Sequence, residues 1–307
     1  MKIVITGSSG LIGKNLVEVL KQQNHTIVPL VHESNKRNDK KDFIWNIFSK
    51  KVDIKAFENV DCVIHLAGSN IAKRWTKAHK ASIYQSRIDG TNLLFQTLKD
   101  NQIFPKHFIS ASAIGIYPDP ILNQTNENHA HGHGFLAEVC EDWEKSALQF
   151  ETIGVKTSLV RTGLVFSNEG GVFPILAKTR KFGIAPTTGS PKNYWSWIHI
   201  ADMVKVYSDL VNGNIQAGIY NAVSPNVCQQ GNIAKTLLKE TVSAGQAWLP
   251  LKFMPNIPPF LLKTILGEQS ILTLTNQNIY PENLLKQGFQ FQFPEIGMAI
   301  KDLIYAK

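Results

Sequence analysis

A glycine-spaced turn near the amino terminus constrains this chain more than any other feature. Residues 6–13 read TGSSGLIG, with Gly7, Gly10 and Gly13 between the apolar run KIVIT and helically spaced apolar residues. In a strand–turn–helix unit, the first glycine permits the tight turn and the second lets the backbone approach a pyrophosphate. The third lets the helix pack close to the sheet. The pattern predicts dinucleotide binding, with the diphosphate on the free N–H groups of the helix; the alternative is a purely structural turn.

The end of the second predicted strand bears on which dinucleotide is bound. NAD-binding proteins of this kind usually place an acid there, to hold the ribose 2′-hydroxyl. Here His32 ends TIVPLVH, Glu33 follows it, and Lys36 and Arg37 come next. Two cations suit a 2′-phosphate, so we expect NADP, while Glu33 keeps NAD open and an ordinary solvated loop is the simpler alternative for the cations.

Strand and helix patterns alternate through the first half of the chain. The helix predicted from Leu11 to about Gln23 is followed by TIVPLVH, in which the proline suggests an edge strand or a distortion. Further apolar runs occur at 61–68, 107–113 and 155–163, with a helix between the first two. This alternation predicts an α/β fold, a Rossmann-type doubly wound parallel sheet, over residues 1–230. The shorter segments of 231–307, with the Pro-rich FMPNIPPFLLKTILG, predict a small C-terminal cap.

Charge and cysteine content narrow the classes of function. The net charge of +8 suggests polyanionic partners, but no run of five basic residues occurs. We therefore expect a small-molecule substrate, no nucleic acid and no membrane, in a monomer or homodimer. Cys62, Cys140 and Cys228 are too far apart for a CxxC pair, and no metal site is predicted. Reduced thiols and an amino terminus that leads directly into a strand favour a cytoplasmic protein.

Several motifs in order resemble the extended short-chain dehydrogenase/reductases, which include the NAD-dependent epimerase/dehydratase family. They are TGSSGLIG, HLAG at 65–68, SRIDGT at 86–91, SASA before a tyrosine at 110–117, and WIHIADMV at 197–204. RWTKAHK, FLAEVCEDWE, RTGLVFSNEGG and the tail PENLLKQGFQFQFP look like the atypical YfcH-like subgroup. Its members are usually labelled nucleotide-sugar epimerases, and they carry a short C-terminal domain of unassigned function.

The resemblance assigns cofactor contacts to named positions. They are Gly7, Ser9, Gly10, Leu11, Ile12 and Gly13 in the turn, His32, Lys36 and Arg37 after the second strand, and Leu66, Ala67, Gly68, Arg87 and Ser110 further along. It also implies that Ser112 binds a substrate oxygen, although a hydroxyl that caps a strand end is the alternative.

The same resemblance exposes a departure at the catalytic positions. The family uses a Tyr and a Lys four apart on a helix, and the aligned positions hold Leu136 and Cys140. Leu136 cannot take a proton, and loss of a general base typically removes about 10²–10⁴-fold of rate. Candidate replacements are Cys140 as a thiolate near Arg87, or Tyr117 as a proton donor or acceptor. Their alternatives are packing for Cys140 and a pocket wall for Tyr117.

Arg87 stands where the family has an asparagine, and two roles are open. It could clamp a carboxylate or phosphate, or it could pair with Glu144 or Asp89. We therefore expect an NADP- or NAD-dependent oxidoreductase or epimerase-like enzyme, acting on a small polar molecule such as a nucleotide sugar. Its candidate catalytic residues are Ser112, Tyr117, Cys140 and Arg87. The alternative is a cofactor-gated regulatory or binding protein without turnover.

Overall fold

In a computed structural model, residues 1–33, 42–246 and 253–305 are described. The strands are β1 (Lys2–Thr6), β2 (Thr26–His32), β3 (Phe43–Asn46), β4 (Lys51–Val52), β5 (Cys62–His65), β6 (His107–Ala113), β7 (Ile121–Thr125), β8 (Lys156–Thr162), β9 (Leu164–Ser167), β10 (Gly170–Gly171), β11 (Thr187–Thr188), β12 (Tyr194–Trp195), β13 (Trp197–His199), β14 (Ile219–Ala222), β15 (Cys228–Gln229), β16 (Asn256–Ile257) and β17 (Gln277–Ile279). The helices are α1 (Leu11–Gln22), α2 (Lys77–Asp100), α3 (Phe135–Leu148), α4 (Phe173–Arg180), α5 (Ile200–Asn212), α6 (Gln230–Ser243), α7 (Pro259–Leu266), α8 (Ile271–Leu274), α9 (Glu282–Lys286) and α10 (Ile296–Tyr305).

Eight strands form the main sheet, in the order β14-β8-β6-β5-β1-β2-β3-β4. All neighbours are parallel except β3 and β4. The chain builds outward from β1 in one direction and from β5 in the other, so the strand order reverses between them. Crevices outside the carboxyl ends of strands at such a switch point are where open α/β sheets bind ligands. The predicted Rossmann-type parallel sheet is confirmed.

Alternate residues of the central strands point to opposite faces of the sheet. Ile3 and Ile5 pack with α1 and α5, whereas Val4 packs with α2 and α3. The continuous apolar runs that predicted these strands are therefore explained, since both faces of each strand are covered by helices.

The expectation of an edge strand at Pro29 needs correction. Pro29 does not mark an edge, because β2 lies between β1 and β3. The ladder with β3 begins one residue later, at Leu30, so Pro29 faces β1 alone and its missing N–H is tolerated. The strands β3 and β14 were not predicted.

The C-terminal segments form the predicted cap, which packs on the main sheet and on the shorter strands beside it. Residues of α6 and α10 share one core with Phe166, Trp195 and Trp197. The strand β17 pairs in parallel with β7. The predicted division at residue 230 falls at the first residue of α6 and stays a prediction, because this shared core crosses it. Across the three described ranges, no helix is both long and apolar enough to cross a bilayer.

Gln277 joins the cap to the main domain. Its buried side-chain amide donates to the carbonyls of Pro118 at 2.9 Å, Tyr117 at 3.2 Å and Ile114 at 3.4 Å. The Ser196 hydroxyl donates to the Gln277 carbonyl at 2.7 Å. One amide therefore supplies the hydrogen bonds of the Tyr117 and Pro118 carbonyls, whereas the Ile114 carbonyl also accepts from the Tyr117 N–H at 3.1 Å.

We expect Gln277→Leu to lower the free energy of unfolding by about 1–3 kcal/mol, because it leaves the Tyr117 and Pro118 carbonyls without their donor. Urea unfolding followed by circular dichroism measures the change. Gln290→Leu, at an exposed position, is the control and should shift stability by less than about 0.5 kcal/mol. Equal stability of the Gln277 variant and wild type would show that water replaces the amide.

Candidate cofactor and active site

The crevice at the switch point is formed by the loops that follow β1 and β5. Gly7 begins the first loop with φ +71°, a conformation that favours glycine. A Cβ at Gly7 would lie 2.7 Å from the carbonyl carbon of Leu66 and 2.8 Å from the nitrogen of Ala67. The absence of a side chain therefore lets the two loops touch, as the sequence pattern requires.

Gly13 and Gly10 are constrained to different degrees. A Cβ at Gly13 would lie 2.2 Å from the Gly7 carbonyl oxygen, so α1 packs directly against the turn only because residue 13 has no side chain. A Cβ at Gly10 would approach only that same oxygen, at 3.3 Å. The fold therefore requires glycine at 13 far more strictly than at 10, which leaves the space above Gly10 for a ligand.

The amino terminus of α1 carries no side-chain cap. Gly10 is the N-cap residue, and no acidic side chain lies in the first turn. The first N–H groups of a helix have no partner within the helix and carry partial positive charge. An anion is the natural partner for them, so these backbone groups fit a cofactor diphosphate.

A cavity of about 740 Å³ opens onto this helix terminus. Its walls come from the glycine turn, the exposed edge of α1, the end of β2, β3 with the residues that follow it, the loop after β5, and one face of α2. The lining includes Gly7, Ser9, Gly10, Lys14, Lys21, His32, Trp45, Leu66, Ala67, Gly68, Ser69, Ser82 and Ser86. The structure thus brings seven of the predicted cofactor residues to one cavity, with Leu11, Ile12 and Gly13 in the helix turn beside it.

The described residues at the end of β2 do not by themselves distinguish NAD from NADP. His32 lines the cavity, while Glu33 accepts a hydrogen bond from Asn46 Nδ2 at 2.6 Å. That bond occupies part of the carboxylate that would hold a ribose hydroxyl in an NAD-binding protein. Lys36 and Arg37 lie outside the described residues, so their predicted role stays a prediction.

Polar residues cross the carboxyl end of the sheet in one line. Ser112 on β6 is the register partner of Arg161 on β8, and Arg161 is the partner of Asn221 on β14. Together with Glu144 of α3, we call these three residues the polar network. Arg161 Nε and Nη2 donate to the two carboxylate oxygens of Glu144, each at 2.8 Å, and the Ser112 hydroxyl donates to Glu144 Oε1 at 2.6 Å.

The ion pair in this network is buried. Arg161 is 2% exposed and Glu144 is 5% exposed. Buried pairs of this kind are tolerated when the geometry is bidentate and the remaining donors are satisfied. Here Arg161 Nη1 completes the set by donating to Tyr117 Oη at 2.7 Å and to the Glu127 carbonyl at 3.0 Å.

Tyr117 lies inside the same network and not on an open wall. Its hydroxyl donates to Asn221 Oδ1 at 2.7 Å, and the residue is 3% exposed. Burial raises the pKa of Tyr117 to about 12, against the opposing effect of Arg161. The phenol is therefore protonated at neutral pH, and its proposed proton-transfer role stays a prediction that this geometry does not favour.

Cys140 is placed by α3 against the end of β6. It is 5% exposed, and its Sγ lies 3.8 Å from where a Cβ at Gly115 would stand. Burial, with the charge of Glu144, raises the pKa of the Cys140 thiol to about 12, although Arg87 acts in the opposite direction. The neutral thiol favours the packing role over the thiolate role.

Arg87 lies beside the cofactor cavity on α2. A Cβ at Gly68 would be 3.0 Å from the guanidinium carbon, so Gly68 makes room for this side chain. Nη1 donates to the carbonyls of Ser69 and Ile83, both at 3.2 Å. The alternative of an ion pair with Glu144 is wrong, because Arg161 takes that carboxylate. Among the described residues Arg87 makes no ion pair with Asp89 either.

Ser110 lies two residues before Ser112 on β6, in different surroundings. Its hydroxyl donates to the Ala111 carbonyl at 3.0 Å, and it is fully buried. Its register partner His65 accepts or donates a 2.7 Å hydrogen bond with Thr6 Oγ1. Burial lowers the pKa of His65 to about 3, so this ring is neutral and supports the loop after β5.

The sequence interpretation missed the partners that tie the candidate residues together. Arg161, Glu127 and Asn221 were not singled out, and Glu144 was considered only as a partner of Arg87. The sole signal for Arg161 was its place at the end of a predicted strand, as the first residue of RTG. Among the described residues, no group of three or more His, Cys, Asp or Glu side chains could hold a metal ion.

Comparison with known proteins gives a consistent result over the whole chain. The model of the NAD dependent epimerase/dehydratase family matches residues 3–222, and a domain of unknown function, DUF1731, matches residues 257–303. An epimerase family protein of Staphylococcus aureus strain N315 is 32% identical over 302 residues, which cover 98% of each chain.

Two solved structures extend the comparison. The human epimerase family protein SDR39U1 (isoform 2) with NADPH superposes with a TM-score of 0.87 at 22% identity, and the match covers 100% of both chains. A nucleoside-diphosphate sugar epimerase from Corynebacterium glutamicum gives a TM-score of 0.77 at 28% identity, over 99% of this chain and 58% of that one. The first of these likenesses shows the fold.

The burial of the cysteines predicts an order of reactivity. At pH 8 we expect iodoacetamide to modify Cys228, which is partly exposed, slowly, because burial also raises the pKa of its thiol to about 11. Cys62 and Cys140 should react only after unfolding, since the thiolate is the nucleophile. Mass spectrometry of peptides from native and urea-treated protein measures this. Rapid labelling of Cys140 in native protein would contradict the packing role and support the thiolate.

Proposed function

Since the chain belongs to the NAD-dependent epimerase/dehydratase family, we propose that it binds NADP(H) at the glycine turn and exchanges hydride with a small polar substrate. One observation carries the cofactor part. The uncapped amino terminus of α1 opens onto a cavity of about 740 Å³. Gly10, at that terminus, is constrained less by its neighbours than Gly7 or Gly13, so its lack of a side chain leaves room for a ligand. A diphosphate supplies the acceptors that these N–H groups lack.

NADP is the cofactor that we favour over NAD. The acid after β2, Glu33, already accepts a hydrogen bond from Asn46, and two cations follow within four residues. The name of the superposed human protein includes NADPH, which agrees with this preference.

The cofactor supplies or accepts the hydride, and the chain supplies binding and orientation. Ser112 donates its hydrogen to Glu144, so its lone pairs are what remain for a substrate hydroxyl. The Arg161–Glu144 pair holds that serine in one rotamer. The C. glutamicum protein's name supports a nucleotide sugar as one substrate class, and the polar groups at the end of the sheet suit such a molecule.

A second candidate is a cofactor-gated binding protein without turnover. The observation in its favour is that Ser112, Tyr117 and Cys140 are all buried and that neither Tyr117 nor Cys140 is ionised at neutral pH. Transfer of deuterium from C4-labelled NADPH to the carbonyl carbon of any of a panel of nucleotide keto-sugars and small ketones, which become the corresponding alcohols, supports the enzyme. Tight NADPH binding with full retention of the label supports the binding protein.

Replacement of Gly10 tests the cofactor site directly. We expect Gly10→Ala to lower the free energy of unfolding by only about 1 kcal/mol, because alanine is a poorer N-cap residue than glycine and its Cβ would lie 3.3 Å from the Gly7 carbonyl oxygen. The same methyl group should raise the Kd for NADPH at least about tenfold, since it occupies the approach to the diphosphate. Fluorescence titration with NADPH measures the affinity.

Two glycine variants serve as controls. Gly297→Ala lies in α10 with nothing within 4 Å of its Cβ, so it should keep wild-type affinity and gain about 0.5–1 kcal/mol of stability. Gly13→Ala should destabilise the protein by about 3 kcal/mol through overpacking. Wild-type NADPH affinity in Gly10→Ala would place the cofactor elsewhere, and a wild-type protein that binds neither NADPH nor NADH would end the proposal.

The choice of NADP rests on Lys36 and Arg37. The double change Lys36→Ala and Arg37→Ala should raise the Kd for NADPH about tenfold and leave that for NADH unchanged, because only NADPH carries the 2′-phosphate. Lys55→Ala removes an exposed charge away from the cavity lining and is the control. An equal loss for both cofactors, or no loss, would contradict the NADP preference.

A further inference from the structure

Arg87 is held rigidly with part of its guanidinium unused. Nη1 is fixed by the Ser69 and Ile83 carbonyls, and the guanidinium carbon lies 5.1 Å from the ring centroid of Trp143. In the described part of the chain, Nε and Nη2 have no hydrogen-bond acceptor and the group has no carboxylate partner. One edge of a planar, preoriented fork is therefore available to a ligand.

The guanidinium lies between Gly68, which lines the cofactor cavity, and Trp143 of α3. On one side the guanidinium packs over Gly68, whose neighbours line the cavity. On the other side it faces α3, where Trp143 is 5% exposed and Cys140 is buried. The guanidinium therefore lies between the loop after β5 and α3, the helix that also carries Cys140.

The groups around Arg87 leave its charge uncompensated. His65 on β5 is neutral, since burial lowers its pKa to about 3, and the Cys140 thiol on α3 is protonated. Glu144 on α3 is committed to Arg161, and Asp89 on α2 itself is exposed. An arginine remains charged even where burial lowers its pKa, as it does here.

A partly buried cation without a carboxylate partner is costly to a fold, and the cost falls when an anion binds. The guanidinium fork matches the two oxygens of a carboxylate or a phosphate, so the ligand chemistry follows from the donor geometry. Low surrounding polarity strengthens such a contact relative to water. A neutral sugar hydroxyl would leave the charge unpaired.

We infer that Arg87 forms an oxyanion subsite for the substrate, so that the substrate carries a carboxylate or phosphate group. This inference rests on the proposed function, because it takes the substrate to lie beside the bound cofactor. The same chemistry is present in the cofactor's own diphosphate, and the experiment must separate these two sources.

The test is calorimetric titration of inorganic phosphate and of malonate into protein saturated with NADP⁺, in low-chloride buffer. We expect millimolar binding to wild type. Arg87→Met should weaken this binding at least tenfold and change the Kd for NADP⁺ less than threefold. Arg87→Lys keeps the charge but not the fork, and should weaken anion binding several-fold. Lys99→Met, at the far end of α2, should match wild type.

Each outcome decides the inference. Equal anion binding by wild type and Arg87→Met, or none by wild type, overturns it. A tenfold loss of NADP⁺ affinity in Arg87→Met, with anions that compete against NADP⁺, assigns Arg87 to the cofactor diphosphate and also overturns it. If wild type binds no NADP⁺, the proposed function fails; Arg87-dependent anion binding to the unloaded protein would then still support the oxyanion subsite. Arg87→Met should melt at or above the wild-type temperature, which excludes unfolding as the cause.

Discussion

The close approach of α1 to the turn after β1 is the contact on which the rest of the site depends. A Cβ at Gly13 would stand 2.2 Å from the Gly7 carbonyl oxygen, so the helix reaches this position only with glycine there. The same approach directs the uncapped helix terminus into the switch-point crevice, against the loop after β5. One steric condition in the sequence therefore fixes where a diphosphate can bind, and the predicted cofactor residues gather around it.

The other end of the site is organised by charge and not by backbone shape. Here the chain has a buried Arg161–Glu144 pair that engages Ser112 and Tyr117. Such a network gives a rigid arrangement, but every member already has a partner. Among these residues, no ionisable side chain is therefore left without a partner to give or take a proton. Arg87 differs from them, because it is a fixed cation that no carboxylate in the described chain neutralises.

Much of the fold was predictable because its determinants are local. The runs KIVIT, HFISASA and VKTSLVRTG contain β1, β6 and β8. KIVIT is almost continuously apolar, as a strand covered on both faces should be, and the other two keep the apolar pairs Phe108–Ile109 and Leu159–Val160 at their centres. The polar network was not predictable for the opposite reason. Ser112, Arg161 and Asn221 are far apart along the chain, and they meet only because the register of three parallel strands aligns them. Glu144 reaches them from a helix, and nothing in its local sequence separates it from a solvated acid.

The central claim is that the first N–H groups of α1 bind the cofactor diphosphate. The most direct measurement is the amide ¹H–¹⁵N spectrum of isotope-labelled protein during addition of NADPH. The account predicts large shifts for Leu11, Ile12 and Gly13, together with slower solvent exchange of these amides, because a phosphate replaces water as their acceptor. Unchanged resonances for these three residues at saturating NADPH, with shifts elsewhere in the spectrum, would contradict it.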